Sequence, residues 1–388
     1  MDDNKKIIIC APHVWNTPYK VGCHHYTRCF SDKGWDVAYL SAPISPFHIL
    51  YYLFSSRRTG MHMPQRCNSW RKGGEYAGKA WTYVPFGFIP VANCFPFNTS
   101  WAIRNAGKAL VPSLKKKLKQ KGFDRADVIW IDSPLFGYLL DMIPHKRSVL
   151  RVADNLSGFP ELGRNVIEAE NKLAGQVDVV AVTSALLEKQ VAEAGAREIV
   201  RLPNGVDFGC FANDTHPEPV DITSIPRPRA VYVGSIERWF DDSLLTYAAQ
   251  HRSNISFVII GPHKKDSFPE LERLPNVYFL GKREHKQIPA YLKHSDVGLI
   301  PFKKLPRIDY ANPIKLYEYM AGSLPVVSTI HTTLKELGSP ALFAETEESF
   351  VNKLDEALRN ASSLKEESLK FAKENTWAKR VEIINQYL

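Results

Sequence analysis

The chain has 388 residues, an apolar fraction of 44% and 23% charged side chains, which suits two domains with real cores and excludes global disorder. Its net charge of +9 is unevenly placed: residues 1–205 hold 27 basic and 17 acidic side chains, whereas residues 206–388 hold 23 and 24. No apolar run reaches the roughly 18–20 residues of a membrane span, and Asp2 and Asp3 ahead of Ile7-Ile-Ile-Cys do not make a secretory signal, so a cytoplasmic chain is expected.

Strand-length apolar runs alternate with amphipathic stretches, the pattern of open parallel α/β sheets. In the first half the expected strands are Lys6–Pro12, Asp36–Ser41, Ala80–Pro85, Asp127–Asp132, Ser148–Ala153 and Asp178–Thr183, with helical patterns at Leu135–Met142 and Leu162–Gln176. In the second half, strands at Ala230–Val233, Ser256–Ile260, Val277–Leu280, Val297–Pro301 and Pro325–Ser328 are separated by helical Asp242–His251, Lys286–His294 and Lys315–Ala321. The joint falls near Arg201-Leu-Pro-Asn-Gly-Val-Asp, followed by the proline-rich 215–229. Two doubly wound domains facing across a cleft are expected, with ligands at the carboxyl ends of strands.

One segment breaks the alternation. Pro46-Phe-His-Ile-Leu-Tyr-Tyr-Leu-Phe ends in Ser-Ser-Arg57-Arg58, and a later helix carries Lys115, Lys116 and Lys117. Phe47, Leu50, Tyr51, Leu53 and Phe54 beside these cations suit contact with an anionic bilayer surface; a core helix with a charged flank is the plainer alternative. The six cysteines contain no C-x-x-C pair, and the Cys23-His24-His25 cluster with Cys29 has the spacing of an ordinary helix start, so no metal is expected.

The strongest local signal is Asn312-Pro-Ile-Lys-Leu-Tyr-Glu-Tyr-Met-Ala-Gly-Ser-Leu-Pro-Val-Val. Pro313 suits the first turn of a helix, whose free N–H groups together with Lys315 would hold a phosphate. Glu318 lies one turn on, and a carboxylate there can accept two hydrogen bonds from a ribose diol. As bare spacing, Lys and Glu three apart also make a common surface pair. The segment resembles the nucleotide-sugar site of GT-B glycosyltransferases. Leu202-Pro-Asn-Gly-Val-Asp, Val231-Tyr-Val-Gly-Ser-Ile, Glu170 with Asp178-Val-Val-Ala-Val-Thr-Ser, and Glu374-Asn-Thr-Trp-Ala-Lys-Arg resemble further motifs of that family in the same order. The first half looks closest to enzymes of bacterial surface polysaccharide assembly, of the teichuronic acid and xanthan glucuronosyltransferase types.

The resemblance implies two Rossmann-like domains: an acceptor-binding, membrane-facing one at 1–205, a donor domain at 206–370, and a closing helix at 371–388 that returns to the first. It implies that a nucleotide sugar, a UDP-sugar by expectation, meets Lys315, Glu318, Gly234, Pro313 and Tyr310, with Arg238 as a further phosphate ligand. Asp154, at a strand's carboxyl end, becomes the general base; on position alone it also fits a helix cap. His24, His25 and Asp132 become acceptor contacts. Many retaining members carry a Glu where this chain has Tyr310, which favours inversion here. There is no D-x-D metal motif, and Asp241-Asp242 reads as a helix start, so metal-independent chemistry without a cofactor is expected. The implied function is transfer of a sugar to a glycolipid or oligosaccharide acceptor, with no nucleic acid partner, on the inner face of the cell membrane. A nucleotide-sugar 2-epimerase on the same fold is the alternative.

Overall fold

The structure, a computed structural model, describes residues 4–17, 20–54, 62–160, 162–213, 215–264 and 266–388. Its contacts divide into two units, Met1–Pro203 with Val381–Leu388, and Asn204–Arg380. The break therefore falls between Pro203 and Asn204 and again inside the last helix, Trp377–Ile384.

The first unit is built on β1 (Lys6–Ala11), β2 (Asp36–Ser41), β3 (Glu75–Ala77), β4 (Ala80–Tyr83), β5 (Ala126–Ile131), β6 (His145–Val152), β7 (Val179–Val182) and β8 (Ile199–Arg201). They form one sheet in the order β3-β4-β2-β1-β5-β6-β7-β8, parallel except for the β3–β4 hairpin. Three helices matter below: α1 (Gly22–Asp32), α2 (Pro46–Phe54) and α3 (Met63–Lys72). The second unit carries β9 (Arg229–Val233), β10 (Ser256–Ile260), β11 (Val277–Gly281), β12 (Val297–Ile300), β13 (Val326–Thr329) and β14 (Leu342–Ala344), all parallel in the order β11-β10-β9-β12-β13-β14. That is the 3-2-1-4-5-6 order of a doubly wound sheet, and the first unit repeats it with one antiparallel strand, β3, added at one edge and one parallel strand, β8, at the other. In both sheets the order reverses beside the first strand, where doubly wound sheets place their ligand crevice at the carboxyl ends.

The central strands are covered on both faces, so they are almost wholly apolar: Ile7–Ala11 and Val179–Val182 are fully buried. One device recurs at the opposite, amino edge. An aspartate ahead of or inside one strand accepts a backbone amide of its neighbour: Lys6 N–H donates to Asp127 at 2.7 Å, Ser148 N–H to Asp178 at 2.7 Å and Arg229 N–H to Asp296 at 2.8 Å.

The expected strands are all present; three stop short of Pro12, Pro85 and Pro301, and a fourth begins after Pro325, because proline has no N–H for the ladder. The expected helix at Leu135–Met142 is instead a 3₁₀ turn, Pro134–Phe136, and one helical turn, Leu139–Met142. Gly137 sits between the two pieces and weakens a continuous helix. Three strands went unread, β3, β8 and β14.

Candidate active site

At the reversal point of the second sheet, the chain leaves β9 through Gly234 with φ of +145°, a conformation that side chains resist. A Cβ at Gly234 would lie 2.8 Å from the Lys315 Nζ, so the turn and the ammonium are in close approach. Lys315 belongs to the helix Ile314–Ala321, which follows β12, and Pro313 is the residue just before its first turn rather than inside it. The ammonium sits 4.0 Å from the Tyr232 ring centroid and 4.9 Å from that of Phe302. Burial pushes Lys315 down to about 7, against the pull of the Glu318 carboxylate. An anion arriving here would find a cation whose charge it restores.

Glu318 is half-buried one turn along, and His285 Nε2–H donates to its Oε1 at 2.8 Å. The loop ahead of the helix is fixed from behind. Asn312 Oδ1 accepts from the Asn204 amide at 2.8 Å and from the Tyr317 hydroxyl at 3.1 Å, and Asn204 Nδ2–H donates back to Asn312 O at 2.5 Å. The Pro-Asn-Gly motif and the Asn-Pro-Ile-Lys motif are thus one hydrogen-bonded piece. Tyr310 lies half-buried in the 3₁₀ turn Ile308–Tyr310. Its neighbour Asp309 is occupied with folding: it accepts from Thr332 N–H at 3.2 Å and from the Thr332 hydroxyl at 3.3 Å. Arg238 lies exposed in the turn after β9. Asp241 caps the helix Asp242–His251, accepting from Leu244 N–H at 3.0 Å, while Asp242 pairs with Lys303 at 2.8 Å.

The same edge of the first sheet has a different character. Asp132, two positions from Trp130 at the end of β5, is buried, accepting from Trp130 Nε1–H at 2.7 Å and pairing with the buried Arg151 of β6 at 3.3 Å. The Arg151 guanidinium also lies against the start of α1, where a Cβ at Gly22 would come within 2.6 Å of it. His24 in that first turn takes the Val21 N–H on Nδ1 at 3.3 Å, so its Nε2 carries the proton and donates to Val14 O at 3.2 Å. Burial and Lys20 push His24 down to about 4, which keeps it neutral between the Trp15 and Tyr39 rings. His25 beside it is buried. Cys23 is likewise held as a thiol, pushed up to about 12 by burial and the Asp132 charge.

Asp154 differs from all of these in being exposed, two residues past β6. Its charge is felt by Arg151 and by Glu170, a buried acid on the helix Arg164–Ala174. Burial, with Asp154 adding to it, pushes Glu170 up to about 8. Glu170 is thus an acid that stays protonated at neutral pH.

Residues 8–183 match the family "Glucuronosyltransferase GumK, N-terminal domain" and residues 227–360 match "Glycosyl transferases group 1". Both halves of the chain thus match glycosyltransferase families, and each unit has the doubly wound sheet of the GT-B fold. Among curated proteins it is 29% identical over 195 residues to the putative teichuronic acid biosynthesis glycosyltransferase TuaH of Bacillus subtilis, a match covering 48% of this chain. The match spans about half the length of that relative, 49%. The GT-B fold is shared with sucrose-phosphate synthase of Thermosynechococcus elongatus, at a TM-score of 0.69 and 14% identity over 99% of this chain and 98% of that one. It is shared too with Anabaena HepE, solved in complex with UDP, at a TM-score of 0.65 and 15% identity over 98% and 99%.

This GT-B chain carries the expected apolar segment as α2, and no residue of it is buried. Phe54 is 86% exposed, and Leu50 and Leu53 are more than half exposed. Phe47 and Tyr51 are exposed as well, so the core-helix alternative is set aside. Lys115 and Lys116 are exposed and Lys117 is half-buried on the helix Leu114–Gln120; Arg57 and Arg58 lie outside the described residues. Among the described residues no helix is long and apolar enough to cross a membrane. Sequence reasoning missed His285, Tyr232, Phe302 and Arg151 as parts of these sites. Only Arg151 left a trace, a basic residue inside the otherwise apolar run Val149–Ala153.

Proposed function

We propose that the protein transfers a sugar from a UDP-sugar to a lipid-diphosphate-linked saccharide during surface polysaccharide synthesis, at the inner face of the cell membrane. The observation that carries this reading is the Lys315 ammonium set against the Gly234 turn, with Glu318 one helical turn away. A diphosphate lying on the turn meets Lys315 and the first amides of the helix, and the Glu318 carboxylate is placed for a ribose diol. The complexes of HepE with UDP and with UDP-glucose support a UDP-sugar donor, and the teichuronic acid relative supports a polysaccharide product. Both matching families are transferase families, and nothing in them favours the epimerase reading.

In the proposed reaction an acceptor hydroxyl oxygen attacks the anomeric carbon. Asp154 takes the hydroxyl proton as the bond from that carbon to the diphosphate oxygen breaks, and UDP leaves with the electron pair. Attack from the face opposite the leaving group inverts the configuration. Lys315 and the helix amides carry the charge on the leaving diphosphate, so the reading needs no metal ion.

The test uses the full chain with labelled UDP-glucose or UDP-glucuronate and a membrane lipid extract. Asp154→Asn should lower transfer by about 10²- to 10⁴-fold, while UDP continues to raise the melting temperature. Unchanged turnover removes Asp154 from the base role. No lipid-soluble product from any UDP-sugar overturns the reaction.

A further inference from the structure

Beside the carboxyl edge of the first sheet lies a cavity of about 220 Å³. Its walls include Ile44 from the loop after β2, His48 of α2, Met63 and Arg66 of α3, Ile89, and Ala106. Among the described residues the lining is apolar apart from Ser45, His48 and Arg66. The Arg66 guanidinium is held in place by donating to Ala42 O at 2.8 Å and Pro12 O at 3.0 Å. His48 Nδ1 lies 2.8 Å from Ser45 Oγ. The Arg66 charge, added to burial, pushes both His48 and His13 down, so these rings are neutral hydrogen-bonding groups beside one fixed cation.

The cavity is roofed by the helix that carries the exposed apolar face. Ile49 and Tyr52 of α2 pack on the cluster of Val14, Ile44, Met63, Val84 and Phe86, and His48 faces the cavity. Phe47, Leu50, Tyr51, Leu53 and Phe54 are exposed on the same helix. A helix lying in the headgroup layer by that face would bring the cavity within reach of a chain leaving the bilayer. A mostly apolar chamber that includes the Arg66 cation fits a ligand that is an alkyl chain at one end and an anion at the other.

We propose that the cavity takes the phosphate-proximal isoprenoid segment of the acceptor lipid, with Arg66 and His48 meeting the diphosphate. This rests on the reading of the protein as a transferase to a lipid-diphosphate acceptor. The site selects acceptors by the lipid that carries them, separately from recognition of the sugar.

The experiment is calorimetric titration of the full chain, with saturating UDP, using farnesyl diphosphate, inorganic diphosphate and farnesol as probes. Farnesyl diphosphate should bind about tenfold or more tightly than either of the others, since it alone supplies both chain and anion. Ala106→Phe fills the cavity and should abolish the preference over inorganic diphosphate, while UDP still raises the melting temperature. Ile89→Trp, from a loop, should do the same and stands in if the first variant does not fold. Arg66→Gln should weaken both diphosphates together. Equal binding of farnesyl diphosphate and inorganic diphosphate, or a preference that survives both filled variants, overturns the site. Equal kcat/KM for lipid-free and lipid-linked acceptors overturns it too, and leaves the transferase reading standing. A protein that binds no UDP but prefers the prenyl probe, titrated without UDP, refutes the donor reading and keeps the site.

Discussion

The carboxyl edges of the two sheets begin from the same strand order and reach opposite solutions. In the second unit the edge is sparse: a glycine turn, one lysine between two aromatic rings, one glutamate and the histidine that orients it. In the first unit the edge is crowded with buried polar groups, the Asp132–Arg151 bridge, neutral His24 and protonated Glu170, and the exposed acid Asp154 follows the strand that carries Arg151. On the reading proposed above, the donor meets a few groups set out at a bare turn and the acceptor meets polar groups fixed in advance; the first unit adds an exposed apolar helix and the basic excess. Shared topology sets where a ligand sits and says little about its charge.

The comparison can be broken first at the sparse edge. Lys315→Ala should cost about 10²- to 10³-fold in transfer, because the Lys315 ammonium is the cation set against the Gly234 turn; steady-state kinetics would read it, and a loss under threefold would mean that the diphosphate is neutralised elsewhere. At the other edge, replacing Leu50, Leu53 and Phe54 together by serine should weaken binding to anionic vesicles by about tenfold or more, with UDP binding unchanged. Equal vesicle binding would leave α2 without a membrane role.

A smaller effect sharpens the sparse edge through pH. The free Lys315 loses its proton near pH 7, and a bound diphosphate raises its pKa, so binding takes up a proton. UDP affinity should fall by about tenfold per pH unit above that point, and titration in buffers of different ionisation enthalpy should report the proton uptake. The smallest effect belongs to the crowded edge. Glu170 is pushed from its ordinary 4.5 to about 8, so the native state holds a proton that the unfolded chain releases. Stability should then fall as pH rises through that window, and Glu170→Gln should flatten the fall by a few degrees of melting temperature.

Much of the fold was legible because central parallel strands are buried on both faces and spell themselves as runs such as Ile7-Ile-Ile-Cys and Val179-Val-Ala-Val. The three strands that escaped notice, β3, β8 and β14, are edge strands of three residues each, half-covered and therefore without a continuous apolar run. The donor-side residues were legible because Gly234, Lys315 and Glu318 belong to short motifs whose spacing reflects a turn and a helix. His285 was not, since it meets Glu318 from 33 residues away and no local spacing encodes that meeting. Asp132 drew attention for its position at a strand end, yet its partner Arg151 lies on the neighbouring strand, and only the sheet order brings the two together.

The aspartates at the amino edges have a consequence for how such a protein can change. Asp127, Asp178 and Asp296 hold backbone amides of neighbouring strands at the amino edges of the sheets. Loops at the far edge can be lengthened, shortened or exchanged without asking the sheet to find its alignment again. New acceptor specificity is thereby open to change by insertion and deletion as well as by point substitution, while the scaffold beneath keeps its alignment.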